Sequence, residues 1–292
     1  MKTNRKNFIK SISLLTGAVL LPGFKVPIGK LISEKKMKLG LVTYLWGKDW
    51  NIPTLIKNCT TAGIDGVELR IEHAHGVSLE LSDAERKSVK KQFKESKVEL
   101  LGMGTNQKFD YVDQDELKKS IEVTKKYIEL SHDIGGTGVK VKPNGFHEGV
   151  PEKKTLEQIG KSLNIVGNYA AKFGQMIRLE VHGKGTQQLP NIKEIMSYVD
   201  SPNVGVCWNC NGQDLWNEGL EHNFNLVKDR FGDTVHVREL NSENYPYQEL
   251  MDLFVKMDYN GWILLECRTN PDDKVKALIE QRKIWEKMVK SS

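Results

Sequence analysis

The sequence predicts one closed parallel (β/α)8 TIM barrel over residues 37–292, preceded by an N-terminal signal segment over residues 1–36. Three observations predict it. Short apolar segments alternate with amphipathic, helix-length segments eight times, which calls for a parallel sheet covered by helices. The chain length of 292 residues suits a single barrel. No linker, low-complexity tract or repeat beyond the βα unit interrupts the alternation.

The elements follow in order. The first strand spans 38–45 and its helix 53–62. The second strand spans 65–70, and its helix opens at Ser82 with Glu85 three residues on, the spacing of a capping box. The third strand spans 98–103. Its helix opens near Asp113, places Leu117, Ile121, Thr124 and Ile128 on one face, and stops at Gly135-Gly136. The fourth strand, 138–142, leads to a helix opening at Thr155 with Ile159, Leu163, Val166 and Ala170 as its apolar stripe. Strands at 176–182, 203–209, 234–238 and 261–267 complete the set, with helices at 190–198, 220–231, 246–257 and 271–289. A doubly wound open sheet is the rival arrangement. It places a Gly-rich phosphate turn after its first strand, where this chain has Tyr44-Leu-Trp-Gly-Lys-Asp.

An apolar fraction of 39% and a charged fraction of 28% are those of a soluble globular protein. The net charge of +5 is concentrated at the N-terminus, where residues 1–38 hold nine Lys and Arg against one acid, Glu34. The remaining chain is slightly acidic and offers no electrostatic basis for binding nucleic acid. Lys2, Arg5, Lys6 and Lys10 precede an apolar stretch carrying Leu14, Leu15, Val19, Leu20 and Leu21. It is too short for a stable membrane span, which needs about 20 apolar residues, and suits a signal-peptide core. Arg5-Lys6-Asn7-Phe8-Ile9-Lys10 resembles a twin-arginine export signal with Lys in the second basic place, so a periplasmic or otherwise exported protein is expected. Cys207-Trp-Asn-Cys210 has redox spacing but straddles a strand end instead of opening a helix, so ordinary buried thiols are expected.

The strands carry the functional signal. A strand buried on both faces reads as a continuous apolar run, and several here do not. Side chains alternate in direction, so Ile177, Leu179 and Val181 share one face and Arg178, Glu180 and His182 the other. His236 and Arg238 oppose Val235 and Val237. Glu266 and Arg268 oppose Leu265 and Cys267, Lys140 and Lys142 oppose Val139 and Val141, and Glu68 and Arg70 oppose Val67 and Leu69. With the apolar face outward on the helices, the charged set points into the barrel toward the strand ends, where barrel enzymes keep their sites. Unpaired buried charge is costly, so these groups must pair, bind a metal or meet ligand. An internal ion-pair network accounts for a few of them and poorly for all.

Carboxylate and imidazole ligands suit one divalent metal ion: Mn, Co, Mg, Ni or Zn. Such an ion polarises a sugar carbonyl, and a carboxylate on each face of the adjoining carbon removes and returns its proton. Glu180, Glu266 and His182 are the candidate catalytic groups. Tyr44, Trp46, Glu68, Arg70, His75, Lys140, Lys142, Arg238, Glu239 and Arg268 are candidate substrate contacts. Tyr44 and Trp46 suit sugar stacking or core packing equally, and the cations suit stabilisation of an enediolate. The expected partner is a small-molecule sugar or glycoside, with a homo-oligomer left open.

The ordered series Gly66-Val-Glu-Leu, Arg178-Leu-Glu180-Val-His182-Gly, Val204-Gly-Val-Cys-Trp-Asn209, Val235-His236-Val-Arg-Glu239 and Gly261-Trp-Ile-Leu-Leu-Glu266 resembles the xylose-isomerase-like barrel superfamily. That group holds sugar isomerases and epimerases, inosose dehydratases and a DNA-repair branch. The resemblance implies metal ligands at Glu180, Asn209, His236 and Glu266. Asn209 stands where the epimerase branch has Asp, so a charge is lost, and Gly212 stands where a His often follows. Three functions compete: a sugar isomerase or epimerase; a lyase resembling exported relatives that act on 3-keto-glycosides; and a non-catalytic sugar-binding module.

Overall fold

Each of eight parallel strands leads into a helix in this computed structural model, which describes residues 37–292. The export reading of residues 1–36 lies outside the described residues. The strands are β1 (Lys38–Val42), β2 (Gly66–Arg70), β3 (Glu99–Lys108), β4 (Gly138–Lys142), β5 (Met176–Glu180), β6 (Val204–Cys207), β7 (Thr234–Val237) and β8 (Trp262–Leu265). The helices are α1 (Ile52–Ala62), α2 (Asp83–Lys94), α3 (Gln114–Asp133), α4 (Glu152–Ala171), α5 (Leu189–Ser197), α6 (Leu220–Val227), α7 (Tyr247–Lys256) and α8 (Lys274–Ser291). None of them is long and apolar enough to cross a membrane.

Strand order is β6-β5-β4-β3-β2-β1-β8-β7. β1 pairs with β2 on one side and β8 on the other, which an open doubly wound sheet does not allow. The β6–β7 seam is closed by single bridges, Val206 to Phe231 and Asn209 to His236. There Gly232 N–H donates to Val206 C=O (2.9 Å) and His236 N–H to Trp208 C=O (2.8 Å). The close approach requires glycine: a Cβ on Gly205 would lie 2.4 Å from Gly232 Cα. This seam sets Asn209 beside His236.

Local chemistry explains the helix starts. The Ser82–Glu85 box closes reciprocally at α2, and Asp113 caps α3 through the Asp115 and Glu116 N–H groups. Several boundaries differ from expectation: β1 ends at Val42, short of residue 45, and α4 opens at Glu152, behind Pro151 and without a side-chain cap, ahead of the expected Thr155. β3 runs on to Lys108 because β2 and β4 flank its polar extension, with Arg70 opposite Gly104 and Lys142 opposite Lys108. The sixth helix stops at Val227 and tightens into a 3-10 turn, Lys228–Arg230.

Leu39, Leu41, Val67, Val139, Ile177, Leu179, Val235 and Ile263 are fully buried in the core between strands and helices, against Ile159, Leu163 and Val166 of α4. Each such side chain contributes about 1.5–3 kcal/mol. A second, smaller apolar cluster unites Val42, Leu101, Trp262 and Leu264, with Tyr44 packed on it. The inward polar set therefore borders an apolar plug.

Candidate active site and metal centre

Arg178 of β5 is fully buried, and each of its three side-chain nitrogens is hydrogen-bonded. Its Nε and Nη2 form a fork on Asp233 Oδ1 and Oδ2 (both 2.8 Å), Nη1 donates to Leu101 C=O (2.6 Å), and Nη2 also reaches Thr137 Oγ1 (2.8 Å). Gly138 makes room, since a Cβ there would sit 2.9 Å from the guanidinium carbon. Burial opposes its charge, but Asp233 and then Glu68 hold the guanidinium ionised. Arg178 thus belongs to the barrel's framework and not to its mouth.

Two residues further along β5, Glu180 is the hub of a second layer. Its Oε2 accepts from Lys140 Nζ at 2.7 Å, and Lys140 also donates to Thr105 C=O at 3.1 Å. Its Oε1 accepts from Asn209 Nδ2 at 3.0 Å. Burial alone would raise the Glu180 pKa, but Lys140, followed by His236 and His182, holds it well below the usual carboxylate range. His236 Nδ1 lies 3.9 Å from Glu180 Oε1 and 4.0 Å from Glu266 Oε1. One ligand atom from each of Glu180, His236 and Glu266 falls within 4.8 Å of the others, and all three residues are buried.

These residues fit a divalent cation. Both ring nitrogens of His236 are buried without a hydrogen-bond partner among the described residues, and Nδ1 is the one that faces Glu180 and Glu266. Two donors each about 2.0–2.2 Å from one ion lie up to roughly 4.4 Å apart, so the spacings suit a shared ion better than hydrogen bonds. On the other ring edge, Nε2 stands 3.3 Å from Glu68 Oε1. A carboxylate behind an imidazole fixes its tautomer and leaves the opposite nitrogen free for metal. Burial opposes ionisation of Glu68, but His236, then Lys140 and Arg178, keep it a carboxylate.

Several sequence-level assignments change. Glu68, expected to touch substrate, is fully buried behind His236, with its Oε1 at ion-pair distance from the ring. A Cβ on Gly104 would approach Glu68 Oε1 to 2.6 Å, so glycine makes room for the carboxylate. Asn209, expected as an oxygen ligand, turns its amide nitrogen to Glu180, because that carboxylate is the nearest strong acceptor. Trp46 is buried, with its indole N–H on Thr269 C=O (3.0 Å), so it packs under the eighth loop. Glu239 is also consumed by that loop: its Oε1 accepts from the N–H of Arg268 (3.0 Å) and of Thr269 (2.7 Å). The Arg268 side chain is exposed.

His75, another expected substrate contact, is a loop lock. Its Nδ1 accepts from Val77 N–H (3.0 Å), so Nε2 carries the proton and donates to Arg70 C=O (2.7 Å). Burial pushes its pKa from 6.5 down to about 4. Between those values the unfolded chain holds the extra proton, so stability rises with pH, is complete above 6.5 and is lost as pH falls toward 4. Urea denaturation across this window is expected to show a loss of up to about 3 kcal/mol on acidification. His75→Gln should flatten that limb.

The mouth holds the remaining candidates. Lys140 is sealed beneath Glu180, whereas Lys142 and Arg70 lie one layer higher and meet at Asn106 Oδ1, 3.2 Å and 3.4 Å away. Arg70 also lies over the Tyr44 ring, 5.7 Å from its centroid. His182 is half-buried, its Nδ1 3.0 Å from Asn144 Oδ1. The backbone N–H of half-buried Arg238 donates to Tyr247 Oη (3.3 Å). Asn106, Asn144 and Asp233 escape sequence reasoning because none sits in an apolar-alternating stretch. Asp214 is also new: its Oδ2 accepts from Asn211 N–H (2.9 Å) and Tyr245 Oη (2.8 Å), bracing the loop beyond Asn209. The four cysteines are buried, free thiols.

With this geometry established, known proteins offer a comparison. The chain is similar to a 3-keto-D-glucoside 4-epimerase from E. coli (TM-score 0.73, 16% identity, covering 86% of this chain and 100% of that one). It is also similar to a D-allulose 3-epimerase from Methylomonas sp. in complex with D-allulose (TM-score 0.73, 16% identity, 87% and 97% covered). A third likeness is to the probable 3-DHS dehydratase of Bacillus anthracis (TM-score 0.64, 14% identity, 86% and 99% covered). At such identities the likeness establishes the fold. No curated protein sequence matches the chain. Residues 56–288 match the family model of the xylose isomerase-like TIM barrel, and the chain belongs to that family.

Proposed function

We propose that the protein is a metal-dependent sugar isomerase or epimerase that moves a proton on a carbon beside a carbonyl. The buried Glu180–His236–Glu266 cluster at the strand ends carries this reading. Glu180, His236 Nδ1 and Glu266 would hold the ion, and an Asn209 amide turned over would add an oxygen. The ion, when bound, supplies polarisation of the substrate carbonyl and so acidifies the adjoining C–H. Glu180, kept ionised by Lys140, accepts the proton as the C–H bond breaks and its electron pair moves toward the carbonyl oxygen. Glu266 lies just beyond β8 beside the same space; it would take a proton from water and deliver it to the other side of the carbon, while Glu180 gives the abstracted proton up to solvent. Neutral His182, its Nδ1 engaged by Asn144, presents Nε2 to the substrate hydroxyls.

Two neighbouring folds, named for an epimerase on a 3-keto-glucoside and one on allulose, support a keto-sugar substrate. Deuterium uptake from heavy water into free ketoses or 3-keto-glycosides tests the reading, and a complete lack of uptake would sink it. A lyase would begin with the same proton abstraction and is recognised by release of the aglycone. A binding module would retain the sugar with neither exchange nor cleavage. The exported location belongs to the same proposal and is tested by fractionating cells. Purified protein is expected to carry about one divalent ion per chain. Chelation should abolish exchange and lower Tm by several degrees, and Mn, Co, Mg, Ni or Zn should restore both. Metal-free protein with unchanged turnover would exclude the ion.

A further inference from the structure

We propose that the substrate is an anionic sugar whose carboxylate or phosphate is held between Arg70 and Lys142, one layer above the Glu180–His236–Glu266 centre. The inference rests on the proton-transfer reading for what happens beneath that layer. Its own basis is the pairing of charges inside the barrel.

The deeper cations are each matched by a carboxylate. Lys140 meets Glu180 at 2.7 Å and Arg178 meets Asp233 at 2.8 Å. Arg70 and Lys142 break this pattern. Both turn to one neutral acceptor, Asn106 Oδ1, and among the described residues neither forms a salt bridge. Arg70 Nε is buried and has no hydrogen-bond partner. The acids at the mouth are committed elsewhere. Asp110 is taken by Lys108 (3.3 Å), Gly145 N–H (3.1 Å) and His147 (3.1 Å). Glu239 is pinned by the eighth loop, and Glu72 is exposed. Two adjacent cations that share an amide oxygen, with no carboxylate in contact among the described residues, form a receptor for an anion with several acceptor oxygens. Lys142 is pushed down to about 8 by burial and then by Lys140, more than Glu180 and Glu266 offset from the layer below.

Position argues against the enediolate as that anion. Arg70 lies two residues beyond Glu68 on β2, and Lys142 two beyond Lys140 on β4, an offset of about 6–7 Å along the strand. Oxygens on the reacting carbons belong at the level of Glu180. A group reaching Arg70 and Lys142 comes from the far end of the sugar.

Calorimetry with D-glucose, D-glucuronate and D-glucose 6-phosphate on the metal-loaded protein tests this. At least one anionic sugar is expected to bind about ten- to a hundred-fold more tightly than glucose. The preferred one distinguishes carboxylate from phosphate. Arg70→Gln and Lys142→Gln should each collapse that ratio toward one. In wild-type protein, independent of any variant's folding, the preferred anionic sugar should shield Lys142 from acylation while glucose does not. Equal affinity for neutral and anionic sugars, or a preference that survives both substitutions, would overturn the proposal. Deuterium exchange separates the two readings. Anion-selective binding without exchange into any keto-sugar supports this site and removes the proton-transfer function. Exchange into neutral keto-sugars as fast as into their uronate and phosphate counterparts does the reverse.

Discussion

Glu180→Gln is expected to slow deuterium exchange into a keto-sugar by about a thousand-fold or more, the scale of a lost general base acting with its metal. Three effects combine in this one substitution. An amide cannot accept the proton. The metal centre loses one of its two carboxylates, leaving His236 and Glu266. Lys140 keeps Thr105 C=O and at most an amide oxygen as acceptors, so a buried ammonium is left without its counter-ion. Exchange measured at saturating metal separates the first effect from the second. If saturating metal restores most of the rate, Glu180 serves as a ligand and another group takes the proton. If the rate is unchanged from the start, Glu180 is not in the reaction at all.

The fold and the inward face were legible for a common reason: both are periodic. Strand-helix alternation and side-chain alternation leave a regular record, so Glu180, Lys140, His236 and Glu266 could be placed on one face without coordinates. What a residue does on that face depends on its depth and partners, which periodicity does not encode. Glu68 and Arg70 lie on one strand and one face, yet Glu68 is sealed behind His236 while Arg70 reaches the mouth. His75 and Glu239 look equally functional in sequence. Each is consumed by backbone groups of its own or a neighbouring loop, contacts that leave no periodic trace. Asn209 is a subtler case. Its position on the seam beside His236 follows from strand order, but the direction of its amide is set by the nearest charge, Glu180. Asn106 was missed because β3 continues through a polar stretch that only flanking strands hold extended.

Arg178 separates framework from function most clearly, and Arg178→Met is expected to destabilise the barrel by about 3–5 kcal/mol. The loss comes from what it strands. Asp233 loses a two-pronged partner, Leu101 C=O and Thr137 Oγ1 lose donors, and fully buried Glu68 loses a compensating charge 4.0 Å away. Methionine fills much of the volume, so a cavity accounts for little of the effect. For a domain of this size the shift corresponds to a fall in Tm of roughly 10 °C. Asp233→Asn in the same chain should recover part of it, because an amide tolerates the loss of the guanidinium better than a carboxylate does. A double-mutant cycle by urea denaturation then reads the coupling directly, expected at about 2 kcal/mol or more. Activity supplies the contrast. Below its unfolding temperature the variant should keep its preference between sugars, since Arg178 lies a layer beneath the substrate. A variant of normal stability that lost sugar selectivity would instead put Arg178 in the site, and the division between a structural lower layer and a chemical upper one would fall with it.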